Sequence, residues 1–333
     1  MNKIDSIPLP NVEGILEEAD DWTRRPGFDR AMQRFCLEMV ASHSGSRIAN
    51  FGMRHTLAWA VSVMIVYLDY RRAEGVTFSE IVRFCEAGGL GSRKAVRSVI
   101  DGLVSIGLLT VQSKPGDRRA KRLRPTDTLF ELHYDNLAAR LAALEMLQPQ
   151  SVPATQAARN PSTLLAFLGG NVEAYARLKF RLYDQFPEVS AFMDRTCGYI
   201  ILLDLLRQAT AHGGAPAIVE ALPVEMAARF HVSRAHVRKL LQEARDNGWF
   251  GLKPGGRQIV FHPVFYSRIR LWIGAEFAWM WRLVGQAPEL SAPIATEKLG
   301  TMAPAQTMIA QPPRPTFLGS VTSDARVLPA RKT

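Results

Sequence analysis

The sequence predicts a mainly α protein in which one unit, three helices and a small β-hairpin, occurs twice, each copy flanked by long helices. Three observations carry this. The chain has 333 residues, 47 % hydrophobic and 22 % charged, which suits a globular protein of about two units. An internal repeat sets Ser92-Arg93-Lys94-Ala95-Val96-Arg97 over Ser233-Arg234-Ala235-His236-Val237-Arg238, and the same offset continues without gaps to Gly107 over Gly248. In each copy that glycine ends the periodic apolar stretch and leads into two short strand-like runs around a turn.

The elements follow in order. Residues 1–27 read as an N-terminal segment, with Lys3 and Asp5 near its start and no apolar leader. In the first unit, 28–147, an apolar helix is expected over about Arg54 to Glu74. Its most apolar stretch, Leu57 to Leu68, falls short of the roughly 20 residues a membrane span needs. Thr77 with Glu80 makes a capping box for a short second helix ending near Glu86. Ser92 is placed to cap a third helix running to Ile106, with Val96, Val99, Ile100 and Leu103 on its inner face. Strands at Leu108 to Gln112 and Lys121 to Arg124 join through Pro115-Gly116-Asp117, and a helix with Leu137, Leu141 and Leu144 follows.

Residues 148–161, with Pro149, Pro153 and Pro161, read as a linker. The second unit, 162–285, repeats the pattern. Helices are expected at about Asp194 to His212, Pro223 to Phe230 and Ser233 to Asn247, and a hairpin turns through Pro254-Gly255-Gly256. A closing helix carries Phe265, Ile269, Trp272, Ile273, Met280 and Val284. Residues 286–333 hold seven prolines and are expected to be a disordered tail. Helix, helix, helix and hairpin, twice over, is a tandem winged helix-turn-helix.

Such a unit places its third helix in the DNA major groove and its hairpin on the backbone or in the minor groove. Lysine and arginine total 41 against 31 acidic residues, a net +10 that points to a polyanionic partner. In the first unit Ser92, Arg93, Lys94 and Arg97 face outward at the start of the third helix. Arg93 and Arg97 share one face at i, i+4 spacing. Arginine can pair bidentately with guanine, so these residues are expected at base edges or groove phosphates. The hairpin adds Lys114, Arg118, Arg119, Lys121, Arg122 and Arg124, six cations close together. The second unit offers Ser233, Arg234, His236, Arg238 and Lys239, but only Lys253 and Arg257 on its hairpin, so it is the poorer reader.

The stretch Gly116-Asp117-Arg118-Arg119-Ala120-Lys121-Arg122-Leu123-Arg124-Pro125-Thr126 resembles the wing of the MarR family of bacterial transcriptional regulators, departing from it at Pro125. The resemblance spans roughly residues 76 to 126. It implies that Asp117 orients Arg119 and that Arg119 enters the minor groove. It also implies a small-molecule effector between the winged unit and the long helices. Proteins of that family usually have one winged helix per chain and dimerise through terminal helices. A homodimer and an intrachain pseudo-dimer are therefore both open.

Other chemistries find little support. Cys36, Cys85 and Cys197 form no CxxC pair, and reduced structural thiols in a cytoplasmic protein are expected. The histidines have no metal-ligand spacing. Gly88, Gly89 and Gly91 lack Walker spacing and read as the turn before the third helix. No hydrolase motif or paired-carboxylate pattern appears, so neither an enzyme nor a cofactor is expected. The rival readings are a plasmid replication initiator with tandem winged helices, and an architectural or protein-pairing winged-helix protein.

Overall fold

The computed structural model describes residues 11–72, 74–114, 117–148, 153–211, 218–253 and 257–284; of residues 114, 117–120, 211 and 252 it describes the backbone alone. The expected tail, 286–333, lies outside the described residues, as do the turns 115–116 and 254–256. The described chain is mainly helical, with two small antiparallel sheets.

The first half runs through α1 (Ile15–Arg24), α2 (Phe28–His43), α3 (Arg47–Gly52), α4 (Thr56–Arg71), α5 (Phe78–Ala87) and α6 (Arg93–Ser105). It continues through strands β1 (Leu109–Lys114) and β2 (Asp117–Pro125) into α7 (Asp127–Glu145). Local chemistry sets these boundaries. Glu80 N–H donates to Thr77 Oγ1 at 3.3 Å while Thr77 N–H donates to Glu80 Oε2 at 2.8 Å, closing the capping box. Ser92 Oγ accepts from Ala95 N–H at 3.4 Å, and Gly107 ends the last turn at φ 77°, a conformation that favours glycine. Val96, Val99, Ile100 and Leu103 are all buried. The hairpin extends beyond the sequence expectation on the turn side, to Lys114 and Asp117, and β2 also reaches Pro125, while β1 begins at Leu109 rather than Leu108. Leu109 pairs with Pro125 and Ser113 with Lys121, and a register shift at Ser113/Lys114 precedes the turn.

The second half runs through α8 (Ala154–Ala158), α9 (Pro161–Leu178), a 3-10 turn (Leu182–Gln185), α10 (Pro187–Met193) and α11 (Gly198–Ala211). Then come β3 (Ile218–Glu220), α12 (Pro223–Phe230), α13 (Arg234–Asp246), β4 (Phe250–Leu252), β5 (Gln258–Phe261) and α14 (Pro263–Val284). The stretch expected to be a linker holds α8, whose Ala154 and Ala158 are buried. Proline misleads there. At the first turn of a helix its missing N–H leaves nothing unpaired, and Pro161 opens α9 just as Pro187, Pro223 and Pro263 open α10, α12 and α14. The N-terminal segment, for which the sequence predicts no element, contains α1, which packs along α14.

The same element order occurs twice. α4, a bridge at Val76, α5, α6, β1 and β2 correspond to α11, β3, α12, α13, β4 and β5. In both sets the last strand lies between the other two: β2 pairs with β1 and bridges Val76, and β5 pairs with β4 and β3. α6 and α13 begin and end at the offset of the sequence repeat, as does the glycine pair, with Gly248 at φ 73°. These sets do not stand as separate cores. α2 packs on α11 and α9 packs on α4, so the long helix leading into each set covers the first helix of the other set. One apolar core runs through both halves. Around Phe277 of α14 the rings of Trp22, Phe28 and Phe35 gather at 6.5, 6.0 and 5.9 Å between centroids.

Candidate nucleic-acid interface

On α6 the inward apolar face leaves Ser92, Arg93, Lys94 and Arg97 exposed over the first turns. Among the described residues none of the three cations makes an ion pair. Positive charge at a helix N-terminus opposes the helix dipole, typically by a few tenths of a kcal/mol. These cations therefore sit where folding alone does not favour them, while the same N–H groups and dipole attract an anion. Phe78, at the start of α5, braces two of them: the Arg97 and Arg93 guanidinium carbons lie 4.0 and 5.1 Å from its ring centroid. Arg93 N–H also donates to Glu86 Oε1 at 3.1 Å, tying the α6 entry to α5. A Cβ at Gly91 would come within 2.9 Å of Leu57, so the turn into α6 packs tightly on α4.

The hairpin cations divide. Arg124 Nη1 lies 2.6 Å from Asp69 Oδ1 of α4, with both side chains largely buried. Arg122 Nη1 lies 4.0 Å from Glu80 Oε2, and its Nε is buried without a hydrogen-bond partner. Glu80 is further held by Arg72 at 2.5 Å, and these contacts with Thr77 keep its carboxyl below the usual carboxylate range despite partial burial, which acts the other way. Arg122 and Arg124 thus fasten β2 to α5 and α4, whereas Lys121 is exposed. Lys114, Arg118 and Arg119 have their backbones on β1 and β2; their side chains, and the Asp117–Arg119 relation, lie outside the described residues.

The second set has the same frame with different contacts. Ser233 Oγ accepts from His236 N–H at 3.1 Å, and Arg234, Arg238 and Lys239 are exposed. His236 turns back: its Nε2 donates to the Thr196 carbonyl at 2.8 Å. Lys239 Nζ lies 3.9 Å from Glu243, which Arg195 holds at 2.9 Å. Arg257 and Lys253 are exposed on the hairpin.

No family model, curated protein or solved structure matches the chain.

Sequence reasoning missed a second region, a mostly apolar pocket of about 110 Å³ lined by helices of both halves. Arg140 of α7 stands in its wall, 8 % exposed. Its Nη1 donates to the Asn136 side chain and to the Asn136 carbonyl at 3.3 Å. Its Nη2 donates to Tyr199 Oη at 3.3 Å, and its Nε lies 3.9 Å from Glu276 Oε2 of α14. Burial raises the Glu276 carboxyl above its ordinary range, against the pull of Arg140. His43 in the same wall is driven down to about 4 by desolvation, and His133, buried with neither ring nitrogen partnered, to about 3. The available signal was a charged residue on an otherwise apolar face: Arg140 beside Leu137, Leu141 and Leu144, and Glu276 between Ile273 and Met280.

The three cysteines are buried. Desolvation pushes the thiols of Cys85 and Cys197 up to about 12 and about 11 and that of Cys36 higher still, so the reactive thiolate is suppressed. Among the described residues no cluster of three His, Cys, Asp or Glu has metal-binding geometry, and no helix is long and apolar enough to cross a membrane.

Proposed function

We propose that this chain is a sequence-specific double-stranded DNA-binding protein with duplicated winged helix-turn-helix units, acting as a transcriptional regulator in the bacterial cytoplasm. The observation that carries the reading is the N-terminal face of α6. Three exposed cations stand there, without ion pairs among the described residues and two of them braced over Phe78, beside a cationic hairpin. Arg93, Lys94 and Arg97 enter the major groove; Lys121, with Lys114, Arg118 and Arg119, lies along the backbone or in the minor groove. Arg122 and Arg124 hold the hairpin at its angle through Glu80 and Asp69. A small-molecule effector belongs to this reading, with the pocket walled by Arg140 as its place.

The test is a salt titration of binding to random duplex and to the gene's own upstream DNA, with wild type and Arg93→Ala/Arg97→Ala. The expected wild type prefers upstream DNA with a steep salt slope. The double variant loses that preference, and its slope falls by about 2, roughly one released counterion per lost phosphate contact. Equal binding to both duplexes would favour an initiator or an architectural protein. No salt-dependent binding to either would end the DNA reading.

A further inference from the structure

The two sets of elements are tied by contacts that answer one another. α2 covers α11, and α9, which holds the same place in the order of elements, covers α4. The correspondence reaches single carbonyls. At the end of α12 the Arg229 carbonyl accepts from Gly45 N–H at 3.0 Å, just past α2. Gly88, the position equivalent to Arg229 in the repeat, lies at the end of α5, and its carbonyl accepts from Tyr175 Oη on α9. Each junction has a second bond, between non-equivalent positions and in opposite senses: His231 Nε2 at the end of α12 donates to the Gly45 carbonyl at 3.0 Å, and Lys179 Nζ after α9 donates to the Ala87 carbonyl at 3.4 Å. The short helices α3 and α10 also correspond, ending at Gly52 and Met193, equivalent positions by the same offset. Between them Cys197 N–H donates to the Arg54 carbonyl at 2.6 Å, joining the entries of α11 and α4. Exchange of leading helices between two equivalent partners is the packing of a two-fold dimer. Here both partners are in one chain.

Helices exchanged in this way leave α6 and α13 in corresponding places but do not make them equal. On α6 the sequence from the cap is Ser-Arg-Lys-Ala-Val-Arg; on α13 it is Ser-Arg-Ala-His-Val-Arg. Where the first has a lysine the second has Ala235, and the histidine that follows is tied to Thr196 rather than free to reach outward. Arg93 and Arg97 lie over Phe78, whereas no ring underlies Arg234 or Arg238 among the described residues. With Arg122 and Arg124 paired to Glu80 and Asp69, the first hairpin still carries Lys114, Arg118, Arg119 and Lys121, against Lys253 and Arg257 in the second.

Resting on the DNA reading above, we infer that a single copy of this chain binds a composite site of two unlike half-sites, the stronger read by α6 and the weaker by α13. A symmetric dimer must read a palindrome, because its two faces are identical. A duplicated chain with unlike faces is free of that constraint and binds in one orientation only. The asymmetric site gives the complex a direction along the duplex, which two identical subunits cannot supply.

The experiment selects binding sequences from random duplexes of about four helical turns, roughly 40 bp, using the full chain. The mass of each complex is measured by light scattering. Arg93→Ala/Arg97→Ala and Arg234→Ala/Arg238→Ala are compared with wild type, after circular dichroism confirms that both exposed-site variants are folded. The expected selected site is non-palindromic and holds one 37.0 kDa chain per duplex. The first variant weakens binding about 30-fold or more and relaxes preference in one half of the site only. The second weakens it about tenfold and relaxes the other half only. A palindrome holding two chains, or an α13 variant that binds and selects as wild type does, overturns the inference and leaves the DNA reading standing. A selection that enriches nothing, with no salt-dependent binding of any duplex, removes the DNA reading and the inference with it.

Discussion

The α6 and α13 faces share a length, a serine cap, a glycine stop and an apolar inner stripe, yet differ in nearly every outward contact. Among the described residues α6 displays three cations free of ion pairs, two of them over an aromatic ring. α13 turns its histidine to a backbone carbonyl and sets Lys239 near Glu243. What the two have in common is the chemistry that makes a helix start, stop and pack. What differs is the chemistry that would meet a partner. An inner face must fit a close-packed core, where a single methylene is felt, whereas an outer face facing water can change at little cost.

That contrast is sharpest if the two sets are held by one shared middle, and the largest expected effect tests this. Arg140→Ala strips Glu276, Asn136 and Tyr199 of their buried donor and should destabilise the fold by about 3–5 kcal/mol. Chemical denaturation followed by circular dichroism should shift to lower denaturant as one transition, because both halves lean on the same core. Two separated transitions, one of them unmoved, would mean that the halves fold independently.

A smaller effect comes from acid. His43 and His133 titrate at about 4 and about 3 in the folded chain against an ordinary 6.5. Their folded values are lowered, so above pH 6.5 both states are neutral and stability is full. As pH falls below 6.5 the unfolded chain takes up protons that the folded chain refuses. Each histidine then removes about 1.4 kcal/mol per pH unit until its folded value is reached. His133→Leu should flatten the stability profile between about pH 6 and 4 by one proton. A profile as steep as wild type would show that His133 is not held neutral in the folded state.

The smallest effect bears directly on the two faces. Phe78→Leu removes the ring beneath Arg93 and Arg97 and should change stability by less than about 1 kcal/mol. If that ring orders the arginines for DNA, binding to the α6 half-site weakens several-fold while the α13 half-site is read as before. Equal weakening at both halves in the same footprinting assay would argue that Phe78 acts through the fold as a whole.

Much of this molecule is legible in the order of its residues, because the deciding interactions are local. Ser92 and Ser233 each reach the N–H three residues on, Thr77 and Glu80 bond reciprocally, and Gly107 and Gly248 take the positive φ that closes a helix. The constant offset between α6 and α13 follows from the same short-range rules. Long-range choices are not legible. Sequence alone counts Arg124 and Arg122 with the outward hairpin cations; only packing against α4 and α5 brings Asp69 and Glu80 to them. It places His236 on a reading face, and the fold swings its ring to Thr196. It reads Pro153 and Pro161 as spacers, although proline is as much at home opening a helix. Nor does any periodicity say that α2 belongs on α11 and α9 on α4, or that Arg140 and Glu276 meet in the wall of a pocket. A helix's apolar stripe declares that it must be covered, but which surface covers it depends on the shapes and volumes of side chains far along the chain. Sequence by itself determined where helices begin, end and turn their apolar sides. Tertiary structure decided which charges hold the fold together and which remain free for a partner.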